Sequence, residues 1–296
     1  MVSFVSILAL LYSLSGWAAE PGRHQMHYKA VVGVRGNPAG AGIDGRVGYR
    51  YRLFESDNML LDDCFIGVYA TPTITPDRAG GGGRVWFKPL AMVETWVQAD
   101  RMHWFGTFGG LQSFPNSSAE TTIANIAAGD EAGSNYPASG TLLDIGYALQ
   151  AKVGHIALRS EMDHIYTDLA LENGDKTYYD NRHDLLMPNR GWIRKNDTYL
   201  LYVSEKSWVI GANSSVINVH FNPDCYGFDR SITTWRTGPM VALGLKTNNE
   251  RFWKKPAVVG FVNFWAVHPY RSGQEVPVMQ PYFAFALTFE GLPFSG

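Results

Sequence analysis

Hydrolysis by an activated serine needs that serine on a tight elbow, usually written G-x-S-x-G. That pattern is absent from the 296 residues. The stretch SEMDHIYTDLALENGD, Ser160 to Asp175, carries Glu161, Asp163, Asp168, Glu172 and Asp175. It lacks the ordered carboxylate spacing of a calcium loop and reads as solvated chain. NPDCYGFDR offers Asp224, Cys225 and Asp229, too sparse for zinc. GGGGR, Gly80 to Arg84, is followed by neither Lys-Ser/Thr nor a helix, so it is read as a flexible loop rather than a phosphate cradle. No cofactor, metal site or catalytic residue is expected. What remains is electrostatic: Arg50, Arg52, Glu94, Asp144, His155, Arg159, Glu161 and Lys246, which are expected to lie opposite the apolar face of their strands and to line the lumen of a closed sheet.

The elements that would carry these charges are strands. Period-two alternation predicts twelve of them, over 26–35, 44–54, 64–74, 84–98, 101–112, 141–151, 154–167, 197–204, 207–221, 236–247, 256–267 and 278–290. In TLLDIGYALQ the apolar set Leu143, Ile145, Tyr147 and Leu149 opposes Asp144, Gly146, Ala148 and Gln150. In RVGYRYRLF, Tyr49 and Tyr51 oppose Arg50 and Arg52. In GHIALRSEMD, Ile156, Leu158 and Met162 oppose His155, Arg159, Glu161 and Asp163. The last strand sets Phe283, Phe285, Leu287 and Phe289 against Tyr282, Ala284, Ala286 and Thr288. Segment 176–183 is assigned to a loop.

Connections alternate in length. Ala99-Asp100, Val153-Gly154, Ser204–Ser207 and Thr247–Pro256 are the short ones; 75–83, 113–140, 168–196, 222–235 and 268–277 are the long ones. The link 55–63 breaks the rule by its length. Strands of about ten residues with strictly alternating turns fit a closed antiparallel barrel crossing a membrane. A soluble sandwich has no such rule, although its strands also alternate, with the apolar face in a core. Many positions opposite the apolar face are Gly, Ala or Ser, which suits a crowded interior better than a solvent face. The all-β reading is therefore a closed up-and-down barrel, with a soluble β protein as the alternative.

Composition agrees. Charged residues are 18%, aromatics 14%, glycines number 31, and the net charge is −2. The charge gives no basis for nucleic-acid binding, which needs a basic face. The run Phe4–Ala19 closes on Gly16 and Ala18 and reads as a signal peptide, cleaved after residue 18, leaving 19–296 as one barrel domain. Cys64 and Cys225 fall at opposite ends of the wall in this topology, beyond disulfide reach, so no bridge between them is expected.

On these features the chain resembles Gram-negative outer-membrane β-barrel proteins of about twelve strands, porin-like in architecture. Members close on a strand read by the barrel-assembly machinery. Tyr282, Ala284, Leu287 and Phe289 stand at the places of that pattern, with Ala in place of Gly. This chain departs by continuing into EGLPFSG. The resemblance implies a bacterial outer-membrane location, contact with lipid and lipopolysaccharide, and assembly by that machinery. It implies a narrow pore for small polar solutes or a structural surface protein. Alternatives are a soluble secreted β protein binding sugar or an apolar ligand, and a lipid-modifying barrel enzyme. For the enzyme, His155, His164, His220 and His268 are candidates by residue type.

Overall fold

The computed structural model describes residues 22–56, 58–61, 63–247, 253–272 and 281–295. The signal-peptide reading, the start of the 278–290 strand and parts of connections 247–256 and 268–277 lie outside the described residues.

Valine, isoleucine, tyrosine and phenylalanine at alternate positions favour extended chain, where each can fill one side of a pleated surface. The wall strands are β1 (His24–Gly36), β2 (Gly40–Arg52), β3 (Phe65–Ala70), β4 (Thr73–Ile74), β5 (Arg78–Leu90) and β6 (Val93–Phe105). After a short strand β7 (Gln112–Phe114), the wall continues as β8 (Pro137–Val153) and β9 (Ile156–Leu169). Two more short strands follow, β10 (Thr177–Asp180) and β11 (Leu185–Pro188). The wall ends as β12 (Gly191–Val203), β13 (Trp208–Phe221), β14 (Arg230–Gly244), β15 (Lys254–Val267) and β16 (Tyr282–Ser295).

β3 and β4 both lie between β2 and β5 and form one stave, broken at Thr71-Pro72. Pro72 has no N–H to give the ladder; its carbonyl still accepts from Gly45 N at 2.8 Å. Counted this way the wall has twelve antiparallel staves. β16 pairs with β1 from Gln25↔Ser295 to Gly36↔Phe283, so the sheet closes on itself. The tail EGLPFS is thus strand, and Ser295 is its last paired residue.

Several boundaries differ from the sequence reading. Ala99-Asp100 is mid-strand, opposite Gly82 and Gly83, and the reversal lies instead at Ala91-Met92. The glycine run read as a loop belongs to β5. A Cβ at Gly82 would sit 1.8 Å from Ala99 O, so glycine here permits a close backbone approach within the sheet. Segment 176–183, read as loop, contains β10. The loops read over 113–140, 168–196 and 222–235 yield their ends to β8, β12 and β14.

One end of the barrel carries the longer connections. There β10 and β11 form a hairpin, all eight residues buried, which pairs with β7. Its Tyr178, Leu186 and Met187 join a buried apolar cluster with Met102, Trp104, Leu169, Ile193 and Val219 of the wall. Two short helices finish this end: α1 (Ile123–Glu131), whose Thr122 Oγ1 accepts from Asn125 N at 3.1 Å, and α2 (Pro223–Tyr226), whose Asn222 Oδ1 accepts from Asp224 N at 2.9 Å. A second apolar cluster, with Tyr199, Leu201, Val209, Met240, Val259 and Ala284, fills the inside nearer the other end.

Inside the wall, the Trp96 indole lies flat on Gly146, where a Cβ would meet its ring at 2.4 Å. Gly146→Val is expected to displace that ring and to cost about 1–3 kcal/mol, as other overpacking changes do. The check is a lower urea midpoint for loss of the folded band on a cold denaturing gel.

Candidate functional site: the lumen and its cap

Alternation sends one side chain in two toward the barrel interior. On β1, β2 and β16 the inward set includes His27, Lys29, Arg46, Arg50 and Glu290; on β5, β6 and β8 it includes Arg84, Lys88, Glu94, Trp96 and Asp144. β9, β12 and β14 add Arg159, Glu161, Asp163, Lys195, Asp197 and Arg236.

These charges are organised. Arg159 grips Glu94 with two bonds of 3.2 and 3.0 Å and Glu161 at 2.6–2.7 Å. Lys88 Nζ lies 4.0 Å from Glu94 and donates to Asp63 at 3.1 Å. Arg50 reaches the other Asp63 oxygen at 3.4 Å. An alternating chain Arg50–Asp63–Lys88–Glu94–Arg159–Glu161 therefore crosses the inside of the barrel near the end that carries the short β5–β6 and β8–β9 turns. Arg50 does not meet Glu161 directly; Asp63, from the β2–β3 connection, is the link that alternation along strands could not reveal.

A second group joins Lys195 to Asp163 at 3.4 Å and to Asp197. Arg84 is stacked between Trp86 and Trp96, 5.1 and 4.5 Å from their centroids, while the Trp96 indole N–H donates to Asp144 at 3.2 Å. Arg236 lies over the Tyr282 ring at 3.9 Å. Such contacts hold guanidinium groups that carry few direct ion pairs.

The cap has its own anchors. Asp180 bonds Arg78 at 3.1 Å and His183 Nδ1 at 2.7 Å. Asp184 takes two bonds from Arg271, 2.7 and 2.8 Å, and one from Tyr179 OH at 2.7 Å. Burial, against the pull of Asp180, lowers His183 to about 4, so its imidazole is neutral at neutral pH. Among the described residues no group of three or more His, Cys, Asp or Glu could hold a metal.

The residues singled out from sequence fall in several places. Arg50, Arg52, Glu94, Asp144, Arg159 and Glu161 sit on the inner face of the wall. His155 is exposed in the β8–β9 turn, bonded to Val203 O at 3.0 Å and stacked on Tyr202. Lys246 is exposed in the connection after β14. Phe283, Phe285 and Leu287 face outward, and Phe289, also outward, packs on Trp253 with centroids 4.6 Å apart. Cys64 is buried beside β3 and Cys225 is exposed in α2; neither is in a disulfide.

Of the four histidines, His268 is buried in the cap against Asp184 O at 2.9 Å. His164 is half-buried on the outer wall, across from Arg194. His220 pairs with Ser231 at 3.0 Å. His103, which the sequence reading passed over, pairs with Ser139 at 2.8 Å in the same cross-strand manner. Register produces these pairs, and only strand pairing could have located them.

No family model matches the chain, and no curated protein matches it. Among solved structures it is similar to the loop L8 deletion mutant of OmpT, an outer membrane protein of Vibrio cholerae. That match has 9% identity and a TM-score of 0.36 over 92% of this chain and 100% of the other. It is also similar to the Pseudomonas putida toluene transporter TodX, at 9% identity and a TM-score of 0.35 over 94% and 90%.

Removing one member of a buried ion cluster strands the others. Arg159→Met is expected to cost about 3–5 kcal/mol. The triple change Glu94→Gln, Arg159→Met, Glu161→Gln is expected to recover most of that loss. Urea midpoints of the two variants check the point; equal losses would mean the cluster is not a unit.

Proposed function

We propose that the chain is a bacterial outer-membrane barrel with a shut lumen, serving as a structural protein of the cell surface. One observation carries the closed lumen. Inward side chains that a water-filled pore would expose are almost wholly covered: Arg159 2%, Glu161 1%, Asp197 0%, Lys195 5% and Arg84 4%. The folded-in hairpin β10–β11 covers the end with the longer connections.

The opposite face supports the membrane placement. Val34, Val68, Val85, Leu149, Leu200, Ile210, Leu243 and Phe285 are all about half exposed around the wall. Patches of that size on a soluble monomer would be an aggregation hazard, whereas lipid is their natural solvent. A closed ladder leaves no unpaired edge in that lipid. In this reading the N-terminal segment directs export, the barrel-assembly machinery inserts the chain, and lipopolysaccharide surrounds the outer rim.

A second reading rests on the charge chain itself. Apolar packing would fill a purely structural barrel at no desolvation cost, so these inward charged groups favour a gated path for small polar solutes. Planar-bilayer recording separates the two. The structural reading expects no steady conductance from the full chain, and none after the hairpin 177–188 is replaced by a short Gly-Ser link. Steady conductance of the full chain would overturn it. Conductance only after hairpin replacement would establish the gated path instead.

A further inference from the structure

Arg236 stands apart from the paired charges of the lumen. It lies on the inner face of β14 and is 4% exposed. Two rings hold it, Tyr282 at 3.9 Å and Trp265 at 5.3 Å from its guanidinium carbon. Among the described residues it has neither a carboxylate within ion-pair distance nor a hydrogen-bond acceptor. The ring contacts steady the cation but take none of its N–H groups.

The side chains around it share this condition. Strand pairing sets Arg236 opposite Trp265, and Asn263 opposite Tyr282. Asn263 Nδ2 donates to Asn213 Oδ1 at 2.5 Å, tying β15 to β13 across the inner face of β14. Trp265 Nε1, Tyr282 OH and Asn213 Nδ2 are then buried with no acceptor among the described residues, and Asn263 Oδ1 is buried with no donor. Buried polar groups are seldom left this way. Trp265 is half-buried although it faces inward, so open space adjoins its ring.

The surroundings supply no anion. Above the group, the His268 ring lies 4.5 Å from Trp265 and bonds Asp184 O at 2.9 Å, which brings the hairpin over it as a roof. Arg35 reaches the same roof from β1 and donates to Arg182 O at 3.1 Å. Each carboxylate nearby already has a cation: Asp184 has Arg271, Asp180 has Arg78, and Asp197, opposite Ser215 on the next strand, has Lys195.

We propose that Arg236, Trp265, Tyr282, Asn213 and Asn263 form a binding site for a small oxyanion of the phosphate kind, enclosed beneath the hairpin. The chemistry selects the ligand. Guanidinium, indole, phenol and amide offer donors from four directions, and an oxyanion is an acceptor on every oxygen. Water would complete the hydrogen bonds but would not balance a buried charge. Asn263 Oδ1 is the one acceptor in the group, and it takes the proton that hydrogen phosphate keeps at neutral pH; sulfate and carboxylate have none to give. The site lies on the inner face, so it holds whichever solvent the outer wall meets.

Phosphate binding tests it. The full chain is refolded in detergent with labelled inorganic phosphate present, so that the roof does not bar entry, and is then dialysed to equilibrium against the same phosphate. The expected result is one phosphate per folded chain, displaced by unlabelled phosphate and far less by sulfate or chloride at equal ionic strength. Tyr282→Phe keeps the ring under Arg236 and removes only the hydroxyl. It is expected to weaken binding about tenfold, the worth of one hydrogen bond to a charged group, while the folded band persists. Arg236→Gln should abolish binding, and Arg101→Gln, on the exposed face of β6, should leave it unchanged. A folded full chain that binds no phosphate would overturn the proposal. So would equal displacement by sulfate or chloride, or equal binding by Tyr282→Phe and Arg101→Gln.

Discussion

Everything in this structure depends on one set of hydrogen bonds, those between the first and last strands. β1 and β16 lie far apart in sequence, yet their ladder runs from Gln25 to Gly36. Without it two edges would stand open, and an open edge in lipid leaves N–H and C=O groups that nothing can satisfy. With it, every stave has a neighbour on each side, and the single remaining question for a side chain is which solvent it faces. Closure thereby converts a simple alternation of residues into two chemically distinct surfaces.

The inner surface resolves a conflict between charge and burial. Arg84, Arg159, Lys195, Glu94, Glu161 and Asp197 face inward, yet the interior is too full to hydrate them. The chain from Arg50 to Glu161 and the Lys195 group answer this by mutual pairing, and Arg84 and Arg236 by stacking on aromatic rings. Such clusters add little net stability, but they are costly to break one member at a time. The hairpin β10–β11 completes the filling from the end with the longer connections, bringing its own ion pairs at Asp180 and Asp184.

The sequence made the wall legible because period-two patterning survives wherever one face is uniformly apolar. β8, β9 and β16 show it, and the outward Phe283, Phe285 and Leu287 follow directly. Where the pattern fails, the cause is local. Gly80–Gly83 reads as a loop because glycine carries no facing information, and its reason for being in a strand, the approach of Ala99 O, is a tertiary fact. The hairpin was hidden because its strands are four residues long, too short for any periodicity test, and β10 mixes Thr177 and Asp180 with its two tyrosines. The lumen charges were visible one by one, but not their partners: Arg159 meets Glu94 across 65 positions of sequence.

The central claim is that the apolar face of this closed sheet is turned to lipid. Gel mobility of the chain without its N-terminal 18 residues, refolded with and without detergent and loaded boiled and unboiled, tests it most directly. The account predicts a mobility shift on boiling for detergent-folded material alone. A chain that folds as a monomer in plain buffer, with no shift on boiling, would contradict it and return the apolar face to the core of a soluble protein.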